Sequence, residues 1–328
     1  MRFLLIIFWL FFPALAQAAC SGEDLRPRLS AKSAARLEQA VAKVPFAEGN
    51  HWIARRGEQS IHVVGTMHLG DGRMHRVMRQ LRPLILSSDL VFLEQLASNL
   101  PEDPQEVIKT YQHHFVMPRG KRLDQLLSPA DYDAIRLQAQ LLGISQDIAP
   151  FVQPWVYSRR LRASGCGPRG LTGPRGLDER IRRFALKRGI ALGALEKPGD
   201  GLRAFSGRPL KDQLRLLELN LHNSFSNNDL AVTRREAFFD ENLTEGWILT
   251  SWKRAEAAGR DRAQIERLDA QLFRRLHDNR NKAWMSVLRS RTEKDILVAV
   301  GAAHLPGRNG VLNLLQRQGY ILERAKFR

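Results

Sequence analysis

Two short stretches at opposite ends of the chain share one pattern. VVGTMHLG at 63–70 and AVGAAHLPG at 299–307 each carry an apolar run, then Gly-x-x-His-Leu, which places His68 and His304 just past the run. Two further apolar runs, DLVFLEQ at 89–95 and GIALGALE at 189–196, end in Glu94 and Glu196. Two imidazoles and two carboxylates meeting at strand ends suit a divalent transition metal. Neutral imidazole accepts Zn, Fe or Co, and added carboxylates move the preference towards Mn. Such an ion activates water and polarises a carbonyl, and a carboxylate left off the metal can serve as general base. Asp178 opens a helix beside a Gly-rich loop and either joins this set or caps the helix.

Each of these residues also has a plainer reading. One Gly-x-x-His is usually a turn with a satisfied histidine; two copies, each after a strand and before a helix, tip the balance towards function. Glu94 and Glu196 could be exposed strand ends, but each follows a buried run. His113-His114 sits in a helical stretch where neighbours point apart, which reads as surface. His62 lies mid-strand and reads as structural, and His51, His75, His222 and His277 read as isolated. HExxH, G-x-S-x-G, Walker A and a strand-borne G-x-G-x-x-G are all missing, which removes the zincin, serine-hydrolase and nucleotide-binding readings.

These side chains need rigid strands behind them. SIHVVG at 60–65 alternates and is β-branched. Residues 73–86 repeat apolar positions near a helical period, and 89–95 is a buried strand, so the segment reads as βαβ. Residues 295–301, a helix from 310 to 318 and a strand at 319–323 repeat the plan at the C-terminus. Between them, 101–163 and 209–291 read as helical. Ser128-Pro129 marks a helix start, and 164–180 is a Gly/Pro-rich loop. The expected fold is α/β: a central, mostly parallel sheet of two related βαβ-like halves, in one domain over 19–328, with a large helical insert. In such sheets function gathers beyond the carboxyl ends of the strands. Gly65 and Gly301 are expected to allow a sharp turn there, by positive φ or by close approach.

The first 18 residues read as a secretory signal: basic Arg2, apolar Phe3 to Leu15, and Ala16-Gln17-Ala18 as cleavage site. The run is too short for a membrane span, and no later stretch of the mature chain is apolar enough. A lipoprotein reading with Cys20 acylated is weaker, because Gln17 stands where an aliphatic residue belongs. Export, most simply to a periplasm, makes the two cysteines, Cys20 and Cys166, an expected disulfide from the new N-terminus to the Gly/Pro-rich loop. The net charge of +17 is spread over helices rather than gathered with aromatics. It points to solvated faces and weak attraction to anionic envelope surfaces, not to nucleic acid.

The assembled segments resemble the TraB/GumN family, which includes Tiki-like metalloproteases. The resemblance rests on VVGTMHLGD, LVFLEQ, GLDERIRRFALKRGIALGALE, DNRNKAWMSVL and VAVGAAHLPGRNGVLNLLQRQGY, in order from residue 61 to 323. It implies a fold shared with erythromycin-esterase-like and ChaN-like proteins and a site built from the paired Gly-x-x-His motifs. It adds Arg280 and Asn281 to the site, and Mn or Co as usual metals. LEKPGD departs from the family in lacking the Thr and Gln common after that glutamate. The resulting expectation is an exported metal-dependent hydrolase of the peptidase kind. His68, His304, Glu94 and Asp178 would be metal ligands; Glu94, Glu196, Arg280 and Asn281 would be catalytic. The substrate would be a peptide or small molecule. The rival readings are a non-catalytic envelope protein holding haem or another ligand on the same fold, and a protein whose basic helices dock on anionic polymers.

Overall fold

The computed structural model describes residues 21–96, 104–163, 175–222 and 226–328. The expected signal segment and both cysteines, Cys20 and Cys166, lie outside the described residues. Six strands form one sheet: β1 (His51–Arg56), β2 (Gln59–Thr66), β3 (Leu90–Leu93), β4 (Ala191–Ala194), β5 (Asp295–Gly301) and β6 (Ile321–Arg324). Their order is β4-β3-β5-β2-β1-β6. The pairs β4–β3, β3–β5 and β5–β2 are parallel, and β1 runs antiparallel to both its neighbours. The expected mostly parallel α/β sheet is present.

Strand β5 occupies the centre, which explains its unbroken apolar sequence. A strand covered on both faces has no polar side. Ile296, Val298 and Val300 face one core with Ile61, Val63, Trp284, Leu288 and Leu315. Leu297 and Ala299 face the other with Val64, Val91, Leu81, Ile85, Ile181 and Phe238. Each fully buried aliphatic side chain here contributes about 1.5–3 kcal/mol of transfer free energy. The helices Asn279–Arg289 and Val311–Arg317 cover the first face; Met74–Ser87, Leu177–Lys187 and Asn227–Phe239 cover the second. A third core, with Leu123, Ile135, Ala139, Tyr157 and Leu217, fills a helical lobe that includes residues 104–163.

The stretch 209–291 is therefore not a uniform insert. Its helices Asn227–Phe239 and Asn279–Arg289 belong to the layers on the sheet. The helix start at Ser128 is as expected, with the Ser128 hydroxyl accepting from Asp131 N–H and Pro129 in the first turn. Strand β1 was not foreseen. HWIARR carries no clean alternation, yet it pairs with β2 through the two-residue turn Gly57-Glu58, Gly57 taking φ +58°. The two βαβ-like units also differ: the first steps over β5, and the second steps over β2 and β1 to an edge. No helix among the described residues is long and apolar enough to cross a membrane.

Candidate active site

Sheet order sets the order of the functional groups. Reading across the parallel strand ends, β4 is followed by Glu196, β3 by Glu94, β5 by His304 and β2 by His68. Strands from opposite ends of the chain are neighbours, with Thr66 level with Gly301. His68, Glu94, Asp178, Arg280 and His304 consequently line one cavity of about 1070 Å³. The two glycines act by close approach and not by positive φ: Gly301 has φ −50°. A Cβ on Gly65 would stand 2.9 Å from Ala302 Cβ, and one on Gly301 would stand 3.2 Å from Glu94 Oε1.

Arg280 holds the centre. Its Nε donates to Glu196 Oε2 (2.7 Å), and its Nη2 donates to Glu196 Oε1 (2.8 Å) and Glu94 Oε2 (2.5 Å). Nη1 donates to the Leu276 carbonyl at 2.9 Å and lies 3.3 Å from His304 Nε2. Glu196 also accepts from Trp284 Nε1 (3.1 Å) and Gln95 Nε2 (2.7 Å). With four donors on two buried oxygens, Glu196 orients the guanidinium and leaves little capacity for a base. Glu94 accepts the Gly301 N–H at 2.7 Å through Oε1. Burial pushes the Glu94 carboxyl up, but Arg280 and the Gly301 amide outweigh this and hold it below the usual range.

The tautomer of His304 follows from its partners. Asn281 Nδ2 donates to the His304 and Asn309 carbonyls (3.1 and 2.8 Å), so its Oδ1 must accept from His304 Nδ1–H, at 2.6 Å. Nε2 is then unprotonated and faces Arg280 and Glu94 Oε1, the latter at 3.7 Å. The ring is clamped between His277 (4.7 Å between centroids) and Trp284 (4.5 Å). Burial, with help from the nearby cations, holds the His304 pKa well below 6.5. His68 behaves oppositely. Its side chain is 72% accessible, opening onto the cavity, and its Nδ1 donates to Asp178 Oδ2 at 3.1 Å. That hydrogen bond raises the His68 pKa above 6.5 despite desolvation. Asp178 also reaches the site from the first turn of the Leu177–Lys187 helix.

Three contributors were not anticipated. His277, isolated in the sequence, packs on His304, and Trp284 and Gln95 bind Glu196. His277 lies in a five-residue π-helical turn, Arg274–Asp278, placed just before Arg280; such turns recur at functional sites. His114, read as surface, is buried, with Nδ1 2.7 Å from Ser206 Oγ. His51 is not isolated either: its Nε2 accepts from His62 Nδ1–H at 3.1 Å.

Among the described residues no three His, Cys, Asp or Glu side chains stand together in a group that could hold a metal ion. Glu94 is engaged by Arg280. The donor chemistry offers an ion one open atom, Asp178 Oδ1, which is buried without a hydrogen-bond partner among the described residues; the His304 Nε2 lone pair faces Arg280 Nη1 at 3.3 Å, a contact that an ion there would displace.

The chain is thus an α/β protein with histidines, carboxylates and an arginine gathered beyond the ends of its parallel strands. The sequence matches the TraB/PrgY/gumN family over residues 50–324, and the chain belongs to that family. It is similar to the uncharacterized protein YbaP of Escherichia coli (strain K12), with 22% identity over 82% of this chain and 94% of that protein. The YbaP protein of Shigella flexneri is similar to the same extent.

Proposed function

We propose that the chain is an exported, metal-dependent hydrolase that acts on peptide or related carbonyl bonds. The observation that carries this reading is the shared cavity: imidazoles from opposite ends of the chain open onto one space, each with its remote nitrogen held by a fixed partner. A divalent ion, Mn or Co by family resemblance and Zn or Fe by donor type, would have to draw together His68, Asp178 and His304, which do not stand as a three-ligand group without it, and would then activate water and polarise the scissile carbonyl.

The chain's own residues do the rest. Asn281 keeps His304 Nε2 free of a proton. Asp178 aligns His68. Glu94 stands 3.7 Å from His304 Nε2 and remains ionised, placed to take a proton from water. Arg280, fixed by Glu196, stabilises negative charge developing on the carbonyl oxygen through its positive charge, since its N–H groups already face Glu196, Glu94, the Leu276 carbonyl and His304. Glu196 is thus a positioning residue. The test is release of new amino termini from a peptide library with Mn or Co added. The wild type should cleave, and His68→Ala and His304→Ala should each lose at least about 100-fold; unchanged cleavage in both would defeat the proposal.

A further inference from the structure

A second cavity of about 1340 Å³ adjoins the first and shares Arg162, Arg234, Trp247 and His277 with it. Its lining is basic: eight arginines and three carboxylates, of which Arg36, Arg159, Arg262 and Arg274 are exposed, while Arg162, Arg208 and Arg234 are buried or half-buried beside Asp269. Asp269 in its wall is bound by Arg162 of the same lining and by Arg254 of the first cavity, at 3.2 and 2.5 Å. Asp269 thus already serves two cations. Arg234 donates through Nε to Thr250 Oγ1 (2.8 Å) and lies over the Trp247 ring at 4.3 Å. Arg208 is only 6% exposed, and its Nη2 has no hydrogen-bond partner among the described residues. The cavity walls are aromatic: Trp155 stacks on Phe205 (5.2 Å) and Trp247 meets Phe273 edge to face (5.7 Å).

We propose that this cavity is a binding site for an amphipathic organic anion, with a phosphate-like head on Arg208 and Arg234 and an apolar body between the aromatic walls. Buried guanidinium groups in excess of their carboxylates are costly unless an anion joins them. The planar fork of arginine matches a tetrahedral oxyanion or carboxylate. An apolar body gains from the aromatic walls, whereas a free inorganic ion does not. Desolvation lowers the pKa of Arg208 and pushes that of Arg234 down only to about 9, which leaves Arg234 charged at neutral pH. The site is independent of hydrolysis. It uses no strand-end histidine, so His68→Ala should leave it intact even if the hydrolytic reading fails.

The test is titration calorimetry of the folded protein with 2-naphthyl phosphate, 2-naphthol and inorganic phosphate. The phosphomonoester should bind at least tenfold more tightly than either fragment. Arg208→Gln and Arg234→Gln should each weaken it about tenfold while the proteins still unfold cooperatively. Arg208→Gln removes an unsatisfied buried donor, so its melting temperature should not fall. Naphthol binding equal to the phosphomonoester would reduce the cavity to an apolar cleft, and equal inorganic phosphate binding would reduce it to a bare ion site. Unchanged affinity in both arginine variants would remove the site altogether. Each of these three results overturns the proposal.

Discussion

Asn281 decides the protonation state of His304. It is 1% exposed and spends both amide hydrogens on carbonyls, so only its oxygen is left for the imidazole. Asn281→Ala should therefore cost about 1–3 kcal/mol in urea denaturation from buried groups left unpaired, and about 10–100-fold in activity through the freed tautomer. Arg280 is bound more tightly still. Arg280→Ala would leave Glu94 and the 4%-exposed Glu196 facing each other without a cation, a loss of about 3–5 kcal/mol measurable in the same way. Arg280→Lys should rescue little, since one ammonium cannot reproduce a fork shared by two carboxylates. Arg280 and Asn281 illustrate what a pattern of residue types leaves hidden. Neither sits at a strand end, and spacing alone gives no reason to single out an arginine on a helix; they entered through resemblance to a family. His277 and Trp284 had no such signal and became visible only through their contacts with His304.

At the scale of elements, the site depends on how closely the β2 loop seats against the helix that carries Asp178. A Cβ at Gly176 would lie 2.5 Å from the carbonyl oxygens of both Met67 and His68, and the Leu177 N–H already donates to the Met67 carbonyl. Gly176→Ala should displace His68 and cut activity sharply with little change in secondary structure by circular dichroism. Gly72→Ala, where an added Cβ meets nothing within 4 Å, is the matched control and should stay within about 0.5 kcal/mol of wild type. The elements themselves were largely legible. β2 and the helices after the strands announce themselves by period, because each packs one defined face, whereas β3 and β5 announce themselves as unbroken apolar runs, because both of their faces are covered. β1 was not legible, because its pairing with β2 and β6 supplies what its own sequence lacks. The π-helical turn before Arg280 was equally silent, since a one-residue widening of a helix leaves the apolar pattern almost unchanged.

Across the whole molecule, acid should be the weak direction. His51 Nδ1–H donates to the Lys326 carbonyl, and its Nε2 shares one proton with His62 Nδ1, so the two rings cannot both be charged; with both neutral, His51 Nε2 accepts from His62 Nδ1–H. Burial lowers the His51 pKa, and burial together with His51 pushes His62 down to about 4. The unfolded chain binds these protons near pH 6.5 and the folded chain does not. Stability is therefore full above pH 6.5 and is lost as the pH falls towards 4. The melting temperature should drop over that window, and the double variant His51→Gln, His62→Gln should flatten the decline. The fold's larger consequence is that it brings the two ends of the chain onto adjacent strands, which is what makes one site from two distant histidines. Equilibrium binding of Mn or Co, counted per chain by metal analysis after dialysis, tests this most directly. The account predicts about one ion in the wild type and none in either His68→Ala or His304→Ala; full occupancy retained in both variants would contradict it.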